Sequence, residues 1–527
     1  MPLTCAIGAP AAAAALSARF GIHDAKGNST TSASRPSAFS RRLAVRLNAS
    51  YSSTSSVEGS VPYVGAPRVV VLGGGFGGLY TALRLDELTW PDGANKPTVT
   101  LLDRSERFVF KPMLYELVNE TMNDWEVAPT FEELLAPTGV AFHRGAVAGV
   151  EPNETMPMRD GSVASSGGGA VVLDDGERIE YDWLVVAVGT ASSDIGVPGA
   201  KEHAIPLSSL EDAQRLAAAI RGLANRGGAT RGRVAVVGSG LAGVELAGVV
   251  AERLKGVADV ELMASASGIM ASSPAGQRDA AAKALASAGV TVREGVRATQ
   301  LGPATQVGSS PPLPSAASLT LTSSVGESTE DFDIVCWAVG QRVESPDSWP
   351  FPRDSRSKKI VTDATLRVSG HARVFALGDV ASATGEAAAA AAAAAADFTA
   401  APPAAAVFPS TAQVAFQQAD YAAWNLWASI GDRPLLPFKY QHLGDMMVLG
   451  KVDAAVALPV GDATIDGPIA GLLRRVTYLY RMPTNEHRVK LATNWLQQSA
   501  QFAADEGPGV LKKLGLPVPD FLTPQQR

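Results

Sequence analysis

The chain has 527 residues and carries 45 Lys and Arg against 52 Asp and Glu, a formal net charge of −7. This length suits two or three domains with large cores, and the negative charge argues against a nucleic-acid partner. The cysteines are Cys5 and Cys336. Because Cys5 falls in the N-terminal segment described next, no pair is left for a redox disulfide, and we expect neither a disulfide reductase nor a cysteine-dependent sulfide–quinone reductase.

Residues 1–66 do not have the composition of a folded domain. They are rich in Ser, Thr and Ala, and their six basic residues face a single acid, Asp24, before Glu58. This composition is typical of an organelle transit peptide, although a disordered tail would share it. The Ser and Thr content favours the chloroplast over the mitochondrion. No uncharged apolar run of about 18 residues is found, so we expect no membrane span.

The first nucleotide-binding motif is VVVLGGGFGGLYTAL, from Val69 to Leu83. Four β-favouring residues lead into Gly73-x-Gly75-x-x-Gly78 and a helical pattern, which predicts a strand, a tight turn and a helix. Glycines let the backbone approach a pyrophosphate, where free amides and the helix dipole favour negative charge. The next predicted strand ends on Asp103, an acid placed to bind a ribose hydroxyl. The predicted dinucleotide contacts are Gly73, Gly75, Phe76, Gly77, Gly78, Asp103 and Arg104.

The same pattern returns in RVAVVGSGLAGVELAGVV, where a predicted strand meets a second Gly-x-Gly-x-x-Gly turn and opens a helix. Two such units in one chain predict two nucleotides. The following strand reaches Ala264 and Ser265, where an NADH enzyme would present an acid. A carboxylate about 4 Å from a 2′-phosphate would cost on the order of 4 kcal/mol at an effective dielectric of about 20, so its absence permits NADPH. The predicted contacts are Gly238, Gly240, Gly243, Ser265 and Ser267, with NADH as the alternative substrate.

Three more apolar runs are predicted as buried strands that end in a glycine turn. They are YDWLVVAVGTA, which closes at Gly189, DFDIVCWAVGQR, which turns at Gly340, and RVFALGDVA, which ends at Gly378 and Asp379. With the two glycine-rich units, these runs resemble the flavin-dependent pyridine-nucleotide reductases with two dinucleotide-binding domains. The resemblance implies that Gly378 and Asp379 bind the ribitol and pyrophosphate of FAD, and it adds Gly189 and Gly340 as cofactor contacts.

This resemblance also implies an α/β fold with two Rossmann-like domains, in which the NAD(P)H domain interrupts the FAD domain. The predicted order is 67–200 for the first part of the FAD domain, 201–340 for the NAD(P)H domain, 341–434 for the second part of the FAD domain, and 435–527 for a C-terminal quinone and membrane-surface region. An Ala-rich insertion at 386–407 is interpreted as chemically inert.

Two segments resemble the type II NAD(P)H:quinone oxidoreductases specifically. They are FVFKPMLYELVNE, from Phe108 to Glu120, and STAQVAFQQADYAAWNL, from Ser410 to Leu426. The C-terminal sequence resembles the plant and cyanobacterial C-type branch, and the resemblance runs from about Ala66 to Gln501. Two positions depart from the common pattern, because Lys111 stands where many members carry Thr and Trp424 where many carry Lys. The resemblance implies that Lys111, Pro112 and Ala412 contact the flavin.

In that family the AQxAxQ motif sits beside the flavin ring and lines the quinone pocket. Gln413 and Gln417 lie one helical turn apart, so they face the same side and can hydrogen-bond carbonyl oxygens. An ordinary solvated helix is the alternative. Glu245 resembles the family's Glu near nicotinamide and flavin, which implies an orienting or proton-delivering role, whereas a first-turn Glu can also simply complement the helix dipole.

The tail from Pro468 to Trp495 interleaves apolar and basic residues at helical spacing. Such a pattern suits an interfacial helix that lies on a lipid surface and brings the enzyme to a quinone dissolved in lipid. A packed C-terminal helix or a dimer contact explains the same pattern, and both alternatives stay open.

Together these features predict a FAD-dependent, non-proton-pumping NAD(P)H:quinone oxidoreductase without a metal. NADPH, or less preferably NADH, would give hydride to FAD, and two electrons would pass to a lipid-soluble quinone such as plastoquinone or a vitamin-K-type naphthoquinone. The expected location is a plastoglobule or thylakoid surface in the chloroplast, with the mitochondrion as the alternative. The protein would be peripheral to the membrane, and a homodimer is an open alternative to a monomer.

Two other functions stay open. A soluble NAD(P)H-dependent flavin reductase of the ferredoxin or monodehydroascorbate type shares both nucleotide units but needs neither the AQ motif nor a lipid-facing tail. A non-catalytic FAD-binding sensor or scaffold of the apoptosis-inducing-factor type is the second, and the intact motifs at both nucleotide units count against it.

Overall fold

The computed structural model describes residues 66–91, 96–153, 155–157, 163–165, 167–226, 231–265, 268–305, 313–383, 408–450, 454–457 and 464–505. Apart from residue 66, the predicted transit peptide lies outside the described residues. The Ala-rich insertion at 386–407 and Ser267 lie outside them as well.

The strands, in chain order, are β1 (Arg68–Leu72), β2 (Thr98–Asp103), β3 (Val140–Arg144), β4 (Val147–Pro152), β5 (Thr155–Pro157), β6 (Val163–Ser165), β7 (Gly169–Leu173), β8 (Arg178–Tyr181), β9 (Trp183–Val186), β10 (Thr190–Ser192), β11 (Ile205–Pro206), β12 (Gly232–Val237), β13 (Ala258–Met263), β14 (Thr291–Arg293), β15 (Arg297–Pro303), β16 (Ala317–Ser323), β17 (Gly326–Phe332), β18 (Ile334–Trp337), β19 (Gln341–Val343), β20 (Ile360–Thr362), β21 (Val374–Ala376), β22 (Ala381–Ala383), β23 (Asp445–Val448), β24 (Ala454–Ala457) and β25 (Thr464–Gly467).

The helices are α1 (Phe76–Glu87), α2 (Leu114–Val118), α3 (Asp124–Val127), α4 (Phe131–Leu135), α5 (Ala200–His203), α6 (Leu210–Asn225), α7 (Leu241–Arg253), α8 (Ala275–Ala288), α9 (Ala412–Ile430), α10 (Pro468–Arg481) and α11 (Asn485–Asp505). Short 3-10 turns cover Lys111–Met113 and Gly378–Val380.

The first large sheet has the strand order β21-β9-β1-β2-β3, and all neighbouring strands are parallel. Its strands are runs of Val and Leu because both faces of a parallel sheet are covered. In β1, Val69 to Leu72 are at most 2% exposed. Helix α1 follows β1, and α9 lies beside α1, where Asp420 accepts a hydrogen bond of 2.9 Å from Nε of Arg84.

The second large sheet is also parallel, with the order β11-β18-β12-β13-β14. Its strands all lie between residues 205 and 337, whereas β21 rejoins the first sheet at Val374–Ala376. The prediction of two Rossmann-like units, one of which interrupts the other, is therefore confirmed. The residue boundaries of the domains stay predictions. Cys336 lies in β18 and is fully buried, and burial raises the pKa of its thiol to about 12.

A short ribbon forms where the chain passes between the two units. Strands β10 and β19 pair there in antiparallel register, with Ala191 opposite Arg342. Each strand directly follows a predicted glycine turn, Gly189 with φ +71° and Gly340 with φ +77°. The two segments that connect the units, β10 and β19, are thus hydrogen-bonded to each other.

The C-terminal region contains an antiparallel sheet of β23, β24 and β25, followed by α10 and α11. Ala470 of α10 packs against Ala454 and Val456 of this sheet. Helix α11 is held against α3, because Asn494 Nδ2 and Trp495 Nε1 both donate to Oε1 of the buried Glu126, at 2.9 and 3.1 Å. Within the described ranges, the helices are too short or too polar to cross a bilayer.

Candidate functional site

The first glycine-rich turn connects β1 to α1. A Cβ on Gly78 would lie 1.8 Å from the carbonyl oxygen of Gly73, which itself has φ +94°, so the backbone requires glycine at both positions. Gly75 differs, because no described atom lies within 4 Å of the place its Cβ would take. It immediately precedes α1, whose first turn has no acidic residue. This open space at a helix N-terminus fits the pyrophosphate of a dinucleotide.

The second glycine-rich turn, between β12 and α7, repeats this geometry. Gly238 has φ +110°, and a Cβ on Gly243 would lie 1.8 Å from its carbonyl oxygen. At Gly240, the residue before α7, the Cβ position is again free of described atoms within 4 Å. The chain therefore holds two phosphate cradles of the same form, one in each unit.

Asp103 ends β2 beside the first cradle, as predicted. Its Oδ2 accepts a hydrogen bond from the Gly74 N–H at 2.6 Å, and its Oδ1 accepts one from the Ser105 N–H at 2.7 Å. Burial raises the pKa of this carboxyl group. Asp103 thus fixes the glycine turn, and its contact with a ribose stays a prediction. Arg104 is largely exposed and pairs with Glu344 at 2.8 Å.

The corresponding position in the second unit has no carboxylate. Ala264 follows β13 and is fully buried, and Ser265 after it is exposed. The Ser265 carbonyl accepts a hydrogen bond from the Gly268 N–H at 3.0 Å. Gly340 lies at the end of the neighbouring strand β18, and a Cβ there would lie 2.2 Å from Cγ2 of Ile195. Gly340 is therefore required where the ribbon of β10 and β19 begins, and its contact with a nucleotide stays a prediction.

Phe76 was predicted as a dinucleotide contact, and Lys111 and Pro112, which begin the short turn before α2, were predicted as flavin contacts; all three contacts stay predictions. Phe76 packs inside an aromatic cluster, with ring centroids 5.2 Å from Phe110 and 4.8 Å from Phe416. Gly77 faces Leu377, because a Cβ there would lie 3.2 Å from Cδ1 of that residue. In the turn, Lys111 is exposed and Pro112 is half-buried.

The Gly-Asp turn lies at the end of β21, next to the glycine turn that ends β9. Thr190 Oγ1 donates to Asp379 Oδ2 at 3.2 Å, which joins the two turns. The Gly378 N–H donates to Oε1 of Gln418 at 2.7 Å, and Gly378 has φ +72°. Gln418 was not predicted as a site residue. It is 4% exposed. In the sequence it lies four residues after the apolar Val414, on the same side of the predicted helix, and this spacing could have indicated that Gln418 is buried.

Gln413 and Gln417 share one face of α9, as predicted, but their amide groups are engaged with the chain segment 440–444. Gln413 Nε2 donates to the Gly444 carbonyl at 2.9 Å, and its Oε1 accepts from the Tyr440 hydroxyl at 2.6 Å. Gln417 exchanges two hydrogen bonds with the backbone of Gln441, at 2.7 and 2.9 Å. The two glutamines fix this segment, and their contact with a quinone stays a prediction. Ala412 is the first residue of α9.

Glu245 lies in α7 and is 8% exposed. Its Oε1 accepts a hydrogen bond from the Val448 N–H at 2.8 Å. Burial raises the pKa of its carboxyl group to about 7, and a hydrogen bond from Tyr115 opposes this rise. Tyr115 belongs to α2, directly after the Lys111–Met113 turn, and its hydroxyl lies 3.5 Å from the Ala242 carbonyl. Tyr115 therefore links the segment Phe108–Glu120, which resembles the type II enzymes, to α7, the helix that follows the second glycine-rich turn.

Comparisons with known proteins agree with this geometry. Residues 67–419 match the pyridine nucleotide-disulphide oxidoreductase family. The alternative NAD(P)H-ubiquinone oxidoreductase C1, chloroplastic/mitochondrial, of Arabidopsis thaliana is 41% identical over 82% of this chain and 81% of its own length. Demethylphylloquinone reductase NdbB of Synechocystis sp. is 36% identical over 82% of this chain and 96% of its own length.

Among solved structures, NDH2 from Plasmodium falciparum in complex with NADH matches with a TM-score of 0.63. It is 15% identical and covers 82% of this chain and 98% of its own, so this likeness shows the fold alone. The chain belongs to the pyridine nucleotide-disulphide oxidoreductase family and, within it, to the alternative or type II NAD(P)H:quinone oxidoreductases, as its motifs predicted.

Proposed function

We propose that the protein is an NAD(P)H:quinone oxidoreductase that uses FAD. The observation that carries this proposal is the pair of phosphate cradles, at Gly75 and Gly240, because two dinucleotides in one chain are what hydride transfer between nicotinamide and flavin requires. The names of the Arabidopsis and Synechocystis relatives support a quinone as the acceptor. Both belong to enzymes, which counts against a non-catalytic scaffold.

FAD, when bound, supplies the two-electron chemistry that links nicotinamide to quinone. The chain's own groups bind and orient the two ligands. The open helix N-terminus of α1 and the Gly378–Asp379 turn would hold FAD, and the N-terminus of α7 would hold the NAD(P)H pyrophosphate. The aromatic cluster around Phe76 would shield this side of the first unit from water. Glu245 would orient nicotinamide or hold a proton; the second role is supported by burial, which raises the pKa of its carboxyl group to about 7.

NADPH is the proposed reductant. Ala264 and the exposed Ser265 offer no negative charge to repel a 2′-phosphate, and Ser265 can donate a hydrogen bond to it. NADH stays the alternative, because Arg293, the basic residue that pairs in register with Met263 on the neighbouring strand β14, is already paired with Glu261 and Glu330, at 3.1 and 2.8 Å.

Helix α10 is the proposed lipid contact. Its exposed side is apolar, with Ile469 at 74%, Leu472 at 65% and Val476 at 55% exposure, whereas Arg474 on the same helix is 4% exposed. A surface helix normally turns its apolar side inward, so this reversed arrangement favours a lipid-facing surface. Tyr480 of α10 and Val489 of α11 are also exposed. A dimer interface would need the same surface and is the alternative.

The proposed substrate is a quinone dissolved in that lipid phase, a plastoquinone or a naphthoquinone of the vitamin K type. The Ser- and Thr-rich N-terminal segment and the name of the Arabidopsis relative support a plastid location, at a plastoglobule or thylakoid surface. The mitochondrion stays the alternative location.

An anaerobic stopped-flow experiment tests the proposed function. Purified protein should show a flavin spectrum that bleaches on addition of NADPH, or more slowly of NADH, and returns on addition of a plastoquinone or menadione analogue. Bleaching followed by rapid reoxidation with ferredoxin or monodehydroascorbate, but not with either quinone, would instead establish the soluble-reductase alternative.

Flotation with liposomes tests the lipid contact. The full chain should float with the liposomes and a chain ending after Gly467 should not; equal flotation of the two would contradict the lipid contact.

A further inference from the structure

A cluster of buried charged side chains lies where α2, α7 and α10 meet. Glu116 from α2 is 2% exposed, Arg474 from α10 is 4% exposed, and Glu245 from α7 is 8% exposed. Arg474 Nη2 donates to Oε1 of Glu116. Glu116 and Arg474 thus form a buried ion pair, and both charges act on the buried Glu245 in surroundings from which water is largely excluded.

The ionisable groups that act on Glu245 come from two elements in the described part of the chain. Tyr115 and Glu116 belong to α2, and Arg474 and Tyr478 belong to α10. The third element, β23, contributes the N–H of Val448. Burial raises the pKa of Glu245 to about 7; the charge of Glu116 acts in the same direction, and the charge of Arg474 acts against it.

Arg474 makes few hydrogen bonds for a buried arginine. Its Nε and Nη1 have no hydrogen-bond partner among the described residues, and the guanidinium carbon lies 5.2 Å from the centroid of the Tyr478 ring. Arginine cannot lose its charge in a protein, so a buried guanidinium is retained at a cost unless its charge is used. Here its charge is the one that balances the two carboxyl groups.

We infer that Arg474 is a positioning residue for the reaction: it is held inside the protein by Glu116, and its positive charge acts on Glu245, the group that holds the exchangeable proton. This inference rests on the proposed function, because quinone reduction needs such a proton: NAD(P)H, one proton and a quinone give NAD(P)⁺ and a quinol. Arg474 acts through Glu245. The helix whose outer side is proposed to meet lipid therefore also supplies, on its inner side, the charge that sets the protonation of the reaction site.

The test is the pH dependence of quinone reduction, measured with a short-chain quinone in the absence of lipid. Arg474→Met removes the positive charge, so the protonated form of Glu245 gains stability and the pH profile should move by about one unit to higher pH. Glu116→Gln removes the negative charge and frees Arg474 for Glu245, so the profile should move by about one unit in the opposite direction. Arg474→Lys should restore the profile of the unmodified protein.

Arg475→Met is the matched control, because the next residue is half-buried and the variant loses the same charge; its profile should not move. A general loss of structure would lower activity at every pH and would not move the pH profiles of Arg474→Met and Glu116→Gln in opposite directions. If both profiles move in the same direction, or neither moves, the inference is overturned. If Arg474→Met does not fold, Glu116→Gln alone tests the inference. A shift of its pH profile to lower pH would support the inference, and any other result would overturn it. A protein that reduces no quinone at any pH would instead disprove the proposed function, and the inference with it.

Discussion

The two dinucleotide-binding units share one backbone and differ in the side chains around it. In both, the third glycine would place a Cβ 1.8 Å from the carbonyl oxygen of the first, and the middle glycine faces open space. In the outer unit, the half-buried Asp103 holds the glycine turn through the Gly74 N–H. In the inner unit, Ser239 donates instead to the Gly268 carbonyl at 3.0 Å, beside the exposed Ser265. The backbone geometry is thus the same in both units, and the side chains that hold the two turns differ.

The largest effect is expected from an alanine at the third glycine. Gly78→Ala would drive a methyl group into the backbone of the outer unit, which cannot relax as a side chain can, so stability should fall by about 3 kcal/mol or more and little yellow protein should be recovered. Gly243→Ala should cost the inner unit as much but leave FAD in place while flavin reduction by NADPH is lost. The measurements are the ratio of flavin to protein absorbance and the reduction rate.

Gly75→Ala is the control for this comparison. The variant should fold with an unchanged melting temperature, because its methyl group enters open space, yet bind FAD more weakly because that space is where phosphate lies. A lowered melting temperature with normal FAD content would contradict the assignment of the cradle.

The second effect concerns Glu245, which the inner unit contributes to the buried charged cluster, and it depends on pH. Folding raises the pKa of Glu245 from 4.5 to about 7, so the stability contributed by its protonated form is complete below pH 4.5 and is lost as pH rises through 7. Relative to Glu245→Gln, the unmodified protein should lose up to about 3 kcal/mol over this range. Urea unfolding of both proteins at several pH values measures the difference. Parallel stability curves would show that the carboxyl group does not titrate in this window.

The third effect concerns the outer unit. Asp379→Ala removes hydrogen-bonding groups from the turn predicted to bind ribitol and pyrophosphate, worth roughly 1.5–3 kcal/mol for a charged group, so FAD affinity should fall about tenfold to a hundredfold and the protein should purify largely colourless. Thr190→Val is the control, because it removes only the hydroxyl that binds Asp379 and should stay mostly yellow. Full flavin occupancy of Asp379→Ala would show that the turn does not bind FAD.

The smallest effect separates the two half-reactions. Replacing Gln413 and Gln417 by Leu keeps helix propensity but removes hydrogen bonds worth about 0.5–1.5 kcal/mol each, so reoxidation by quinone should slow about tenfold. Bleaching by NADPH should continue near its normal rate. We also expect the double variant to loosen the segment 440–444, because the side-chain amides of Gln413 and Gln417 hydrogen-bond to it. Gln418→Leu, the neighbouring change, should weaken FAD binding instead, because Gln418 binds Gly378. Slower bleaching in the double variant would favour the soluble-reductase alternative.

Much of this molecule could be predicted from short stretches of sequence. The central strands of both parallel sheets, β1, β9, β12 and β18, are runs of mainly apolar residues, and each cradle is marked by local glycine spacing, because strand burial and tight turns depend on residues close in sequence. The Gly-Asp turn at Asp379 could be located in the same way. In each case the pattern and the structure it determines occupy the same few residues.

What could not be predicted depends on partners distant in the chain. The contact of Gln413 and Gln417 with a quinone stays a prediction, but their hydrogen bonds to the segment 440–444 could not be predicted from the helix alone. The alternation of apolar and basic residues in the tail predicted a lipid-facing helix, but it did not indicate that one of its cations, Arg474, is buried beside Glu116, 358 positions earlier. Helical spacing defines two faces of a helix, but it cannot tell which face meets the rest of the protein.

The crossing ribbon of β10 and β19 has a consequence for the order in which the protein folds. The first parallel sheet waits for β21, whose partner strand β9 is synthesised about 190 residues earlier, whereas the inner unit lies entirely between them. We expect a released chain that ends just after β19 to protect the inner unit from protease while β1 and β9 are still cleaved. Once β10 and β19 have paired, they hold the ends of the finished insert together, so the unit that folds first brings the two halves of the unfinished sheet within reach of each other.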